Sequence, residues 1–196
     1  MPYDVKKDLK QLYAPRNREW ELLDVPEQQF LAVDGRGNPN TASSYARAVE
    51  ALYAFAYTIR MAATERFVVG PLEGLWWADD MAAFTVRAKD SWQWTMLVSV
   101  PGWIGEDAVE SARETVRRKK KIDAPVRLEK LHEGRCAQVL HVGPYDDEGP
   151  VLARLHDEFL AAQGLKPTGL HHEVYLGDPR RVAAEKLRTV LRQPVG

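Results

Sequence analysis

Apolar and polar positions alternate along this chain with two periods, and the switches between them mark its elements. Phe30-Leu31-Ala32-Val33 is a continuous apolar run closed by Gly35-Arg36-Gly37-Asn38-Pro39-Asn40, and it predicts a buried strand ending in a loop of turn formers. From a cap at Asn40 or Thr41 the period becomes helical, with Ala46, Val49, Leu52, Tyr53, Ala56, Ile59 and Ala63 predicting a long helix over 42–63. Gly70-Pro71 breaks the chain before an apolar stretch at 72–79. A strand follows at 92–100, ended by Pro101-Gly102, and the two stretches read as a hairpin with a long loop. Residues 106–121 predict a second helix, acidic at its start and basic at its end, as the macrodipole favours. Strands are expected at 126–131 and 135–142. Asp146, Asp147 and Glu148 then open a helix through Leu152, Leu155, Phe159 and Leu160, and further strands are expected at 169–176 and 186–192. Ahead of all this, 4–13 is a short amphipathic patch and 21–26 a strand or extended arm.

The order strand, Gly-rich or Gly/Pro loop, helix, strand, strand, proline occurs twice, over 29–101 and over 135–195. Such self-similarity predicts an α+β fold of two β-α-β-β modules about a pseudo-twofold axis, with helices together on one side and a ligand groove between the central strands. The expected organisation is a single domain over 1–196: lead-in 1–28, module one 29–101, a linking helix and strand 102–134, and module two 135–196.

Composition narrows the function classes. A chain of 196 residues with 45% hydrophobic content is long enough for one substantial core, and a net charge of −1 argues against a general nucleic-acid binder. The basic run Arg117 to Lys121 falls where a helix end needs it. Cys136 is the single cysteine, which excludes an internal disulfide and a thiolate metal cluster, and its strand context reads as structural. Without a transmembrane-length apolar window or an apolar leader, the expected location is cytoplasmic. Gly35-Arg36-Gly37 lacks the third glycine of a dinucleotide fingerprint.

The candidate chemistry centres on the strand Gly169 to Leu176. Alternation places His171, Glu173 and Tyr175 on one face and Leu170, His172, Val174 and Leu176 on the other, which reads as the core face. If the first face lines a pocket, Glu173 is an anion among aromatic groups, suited to holding a cation or moving a proton. The same spacing also fits a solvated face on which Glu173 pairs with a Lys or Arg. In the repeat, Gly74-Leu75-Trp76-Trp77-Ala78 lies over Gly169-Leu170-His171-His172-Glu173, which brings Trp76 to the face of Glu173, while Trp76 and Trp77 must diverge. His171 and His172 likewise point apart and have no third ligand at metal spacing.

His141-Val142-Gly143-Pro144-Tyr145, Leu152 to His156, Gly169 to Leu176, Asp178-Pro179 and Lys186 to Leu191 together resemble the general pattern of the GyrI-like small-molecule-binding proteins, whose fold also serves as the effector domain of AraC-type and MerR-type multidrug regulators. Asp8 to Tyr13, Asp34 to Asn40, Ala48 to Tyr53, Leu72 to Trp77 and Trp94-Thr95 are similar to a stand-alone branch without a DNA-binding domain, some members of which hydrolyse cyclopropanoid DNA alkylators. The resemblance implies that Glu173 is the central pocket glutamate, with Trp76, Trp94 and Tyr145 around the same groove. It points to a cofactor-independent, metal-free site for a hydrophobic or cationic aromatic ligand. For an enzyme, the chemistry needs Glu173 as general base and a phenol, Tyr145 or Tyr175, as donor to a developing oxyanion, with Trp76, Trp94, His171 and Tyr175 binding the ligand. The same residues also fit a non-catalytic drug sensor, and the resemblance leaves room for a gyrase-inhibitor-like interaction protein.

Overall fold

A computed structural model describes residues 2–79 and 88–196. Among the described residues, eight strands form one antiparallel sheet: β1 (Glu21–Val25), β2 (Gln28–Arg36), β3 (Leu72–Trp77), β4 (Gln93–Val100), β5 (Arg127–Leu131), β6 (Gly134–Val142), β7 (His171–Tyr175) and β8 (Arg188–Pro194). Their spatial order is β1-β6-β8-β7-β3-β4-β2-β5. That order reads the same from either edge once β2, β3 and β4 are matched to β6, β7 and β8, so the duplicated arrangement expected from the sequence is the arrangement of the sheet. The centre is the β3–β7 pair, with Trp76 opposite His171 and Gly74 opposite Glu173.

Strand parity sorts the two faces. On one, Leu31, Val33, Trp76, Trp94, Met96 and Val98 pack beneath the long helix Ser43–Ala62, whose Ala51, Leu52, Phe55 and Ile59 are buried. The helix Glu106–Lys120 packs beside it through Val109, Ala112 and Val116. Ala137, Val139 and Leu191, farther across the same face, are covered by Leu155 and Leu160 of the helical segment 149–163. Each fully buried side chain of this size contributes about 1.5–3 kcal/mol. The helices that cover this face therefore stand over both halves of the sheet and flank its central pair. The opposite face is closed by two short N-terminal helices, Val5–Asp8 and Lys10–Tyr13, with Val5, Leu12 and Tyr13 against Cys136, Leu140, Val174 and Val190.

Local expectations are refined in four places. The long helix begins at Ser43 with Ala42 as its uncapped N-terminal flank, because Asn38 makes a turn of its own: its side chain accepts the Asn40 N–H and its carbonyl the Ala42 N–H. The last strand starts at Arg188, since Ala184–Lys186 forms a 3-10 turn, and runs on to Pro194 opposite Cys136. The helix after the acidic triplet is interrupted by a π-helical turn, Leu155–Phe159. Residues 21–25, expected as a strand or extended arm of the lead-in, form the strand and join the sheet at its edge on β6. β3 and β4 pair as expected, and part of the connection between them falls outside the described residues. No helix among the described residues is long and apolar enough to cross a membrane.

Candidate functional site

The central strand pair carries a hydrogen-bonded chain that ends on Glu173. Trp76 Nε1 donates to Tyr175 Oη at 2.8 Å, and Tyr175 Oη donates to Glu173 Oε2 at 2.7 Å. His171 Nε2 lies 3.2 Å from Glu173 Oε1. Two residues of its own strand face thus contact the Glu173 carboxylate, and Trp76 of the neighbouring strand joins through Tyr175; the Glu173 side chain is 14% exposed. Gly74 makes the geometry possible. The Trp76 indole lies back over residue 74, where a Cβ would sit 2.8 Å from Nε1 and 3.2 Å from Met96 Sδ. Only glycine leaves that space.

Aromatic rings wall the carboxylate from several elements. Tyr45, in the first turn of the long helix, stacks on Trp76 at 6.3 Å and 27°, and Trp92 meets Trp76 edge-on at 5.8 Å. Tyr145, in the 3-10 turn Tyr145–Asp147, meets Tyr175 edge-on at 5.6 Å. Lys89 links the two modules here, with Nζ 5.7 Å from the Trp92 ring centroid and 3.2 Å from Asp146 Oδ1.

Burial sets the proton chemistry. Tyr145 is pushed up to about 12 by burial first and then by the charges of Glu148 and Glu173, so its hydroxyl stays a hydrogen-bond donor across the physiological range. Tyr45 and Tyr175 are raised as well, by burial and then by Glu173. Glu148, 6% exposed, is pushed up to about 10 by burial and then by the Glu173 charge. The face therefore holds one carboxyl that accepts hydrogen bonds and a second that keeps its proton.

Of the residues expected at the site, Glu173, His171, Tyr175, Trp76 and Tyr145 are brought together. Trp94 lies on the expected face, opposite Trp76 in register, but is fully buried. Its indole fills the place of a side chain at Gly35, where a Cβ would come within 2.0 Å, and it donates to Gly37 O at 3.2 Å. It supports the aromatic wall from behind, edge-on to Tyr45 at 5.3 Å. Sequence reasoning did not assign Tyr45, Trp92 or Glu148 to the site. Glu148 in particular reads as the third acid of a helix start, and nothing in the local sequence signals its depth.

Among the described residues, Glu173 pairs with Tyr175 and His171 of its own strand rather than with a Lys or Arg. A separate surface depression of about 810 Å³ lies between Pro2, Tyr3, Asp8, Arg66 and Trp103, away from this chemistry. Among the described residues, no group of three His, Cys, Asp or Glu is placed to hold a metal ion.

Comparison with known proteins agrees with this architecture. No curated protein sequence matches the chain. An uncharacterized conserved protein from Listeria innocua is similar in structure, with a TM-score of 0.91 and 40% identity, covering 99% of this chain and 100% of that one. A hydrolase encoded by lin2189 of Listeria innocua has a TM-score of 0.90 and 39% identity, with full coverage of both chains. The C-terminal domain of EcmrR shares the fold at 12% identity and a TM-score of 0.60, covering 91% of this chain and 97% of that domain. The model of the GyrI-like small-molecule-binding domain matches residues 18–195, and with so nearly complete a match the chain belongs to that family.

Proposed function

We propose that the protein binds flat, hydrophobic aromatic molecules against Trp76, Tyr45, Trp92 and Tyr145, and that it hydrolyses electrophilic cyclopropanoid compounds with Glu173 as general base. The observation that carries this reading is the Glu173 carboxylate fixed by Tyr175 and His171 beside aromatic faces. The 39% identity to a hydrolase of Listeria innocua supports an enzyme rather than a sensor.

The aromatic rings stack the substrate and hold its strained ring at the carboxylate, so that most of the barrier reduction comes from positioning. Glu173 takes a proton from water as the water oxygen bonds to the ring carbon. The strained C–C bond breaks, its electron pair passes into a conjugated carbonyl, and the Tyr145 hydroxyl hydrogen-bonds the oxygen that gains charge. Ring strain supplies the driving force.

The decisive experiment incubates parent and Glu173→Gln with a cyclopropanoid alkylator and follows the water adduct by mass spectrometry. The substitution keeps size and removes basicity, so turnover should fall by roughly 100-fold or more while the compound still binds. Binding without product in the parent points to a sensor, and undiminished ring opening in Glu173→Gln removes Glu173 from the base role.

A further inference from the structure

A second carboxyl shares the face of Glu173, and the reaction written above leaves it unused. Glu148 directly follows the turn that carries Tyr145 and precedes the helix Gly149–Arg154. It is 6% exposed, yet among the described residues its Oε1 has no hydrogen-bond partner. Thr189 on β8 is fully buried, and its Oγ1 also lacks a partner among the described residues. The Thr189 hydroxyl is close enough to favour the charged form of Glu148 but falls short of hydrogen-bond geometry. Thr189 stands opposite Tyr175 in register, which sets both orphaned atoms one strand from the Tyr175–Glu173 hydrogen bond. Buried polar atoms without partners are costly and uncommon, and a pair of them beside a fixed carboxylate is consistent with a catalytic role.

We propose that Glu148 is the proton donor of this site, giving its proton to the carbonyl oxygen of the bound substrate as the ring opens. The assignment rests on the reading of Glu173 as base. A carboxyl that keeps its proton beside one that accepts hydrogen bonds has the makings of an acid–base pair. Burial and the Glu173 charge keep the proton on Glu148, Asp146 adds to this, and Thr189 and Lys89 oppose it. Tyr145, pushed up to about 12, can steady the same oxygen but holds its own proton more tightly than Glu148 does. The step balances. The water oxygen bonds to the ring carbon and loses a proton to Glu173, the C–C pair moves to the carbonyl oxygen, and that oxygen takes the Glu148 proton to become a phenol. Passage of a proton from Glu173 back to Glu148 resets the pair, with net addition of one water.

Two measurements test the proposal. In the first, a series of cyclopropane-fused cyclohexadienones, differing only in the acidity of the phenol they release, is turned over by parent, Glu148→Gln and Glu173→Gln. Glu148→Gln should lower kcat roughly 100-fold with KM little changed, and the loss should shrink as the product phenol becomes more acidic. The Glu173→Gln loss should stay constant along the series. The parent rate should also fall as pH rises through about 10, a limb absent from Glu148→Gln. In the second, infrared difference spectra between parent and Glu148→Gln should show one protonated carboxyl at neutral pH. The carbonyl stretch of a bound, unreactive aryl ketone should shift in the parent and not in Glu148→Ala. A Glu148→Gln loss that is absent or uniform along the series, with no protonated carboxyl at neutral pH, overturns the proposal and leaves the Glu173 hydrolase reading standing. Infrared shifts without turnover by the parent defeat the hydrolase reading instead and leave Glu148 as a donor to a bound carbonyl.

Discussion

The indole of Trp76 lies back across Gly74, its neighbour two residues earlier on β3, so closely that a Cβ at residue 74 would stand 2.8 Å from Nε1. The same indole nitrogen donates to Tyr175, which donates to Glu173. A backbone position with no side chain thereby sets the orientation of a carboxylate on the adjoining strand. Gly74→Ala should force the indole away and lengthen this chain, destabilising the protein by about 1–3 kcal/mol. Thermal unfolding and ligand-induced quenching of tryptophan fluorescence check both halves of the expectation. An alanine variant with unchanged melting and unchanged binding would show that Trp76 has another low-energy seat.

Tyr175→Phe removes the donor to Glu173 Oε2 and leaves the Trp76 N–H without its acceptor. Hydrogen bonds to charged groups contribute about 1.5–3 kcal/mol, so turnover should drop on the order of 10- to 100-fold. Steady-state kinetics should place the loss in kcat, because the stacking faces of Trp76, Tyr45 and Tyr145 are retained.

Trp76→Ala and Trp94→Ala should separate binding from support. Trp94 is fully buried, and its truncation should cost about 3–5 kcal/mol of stability. Trp76→Ala removes the ring on which Tyr45 stacks and should weaken aromatic ligands most. Calorimetric titration beside denaturant unfolding distinguishes the two. Equal ligand affinity in Trp76→Ala and parent would move the binding surface elsewhere.

The opposite face of the sheet carries a buried ionic cluster whose pH dependence can be read in stability. His172 Nε2 lies 3.0 Å from Glu73 Oε2 and its Nδ1 3.0 Å from Glu133 Oε1, while Arg192 Nη1 donates to Glu133 at 3.1 Å. Tyr13 donates to Glu73 at 2.9 Å and ties the N-terminal helices to the cluster. Burial alone would lower His172, but the Glu133 charge and the hydrogen bonds to Glu133 and Glu73 push it up to about 9. A group raised in the folded state contributes fully below its unfolded value near 6.5 and loses that contribution as pH rises through 9. Glu133 is held at about 2 against the opposing effect of burial, by His172 and Arg192, so its contribution is present above its ordinary 4.5 and lost as pH falls toward 2. Denaturant unfolding should show stability declining from about pH 6.5 to 9 in the parent, with that slope absent in His172→Gln. Glu133→Gln should cost about 3–5 kcal/mol near neutral pH, since it leaves the buried Arg192 without its carboxylate partner and His172 with Glu73 alone.

Much of this protein was determined by its sequence alone. Period-two and helical stretches recur in the same order in each half, and the sheet order repeats that duplication because each half buries its apolar positions by the same pairing. Parity on β7 sufficed to put His171, Glu173 and Tyr175 on one face, since alternation follows from backbone geometry. Tertiary structure decided the rest. Trp76 and Trp94 have the same parity, yet one donates to Tyr175 and the other is sealed behind the wall, because Gly35 leaves a space that only the second indole can reach. His172 reads as an apolar-face histidine until Glu73 and Glu133, each distant in sequence, close on its two ring nitrogens. Glu148 reads as a helix-start acid until packing takes it from water and sets it beside Glu173. Depth and charge partners are properties of the packed chain, and a local sequence pattern contains neither.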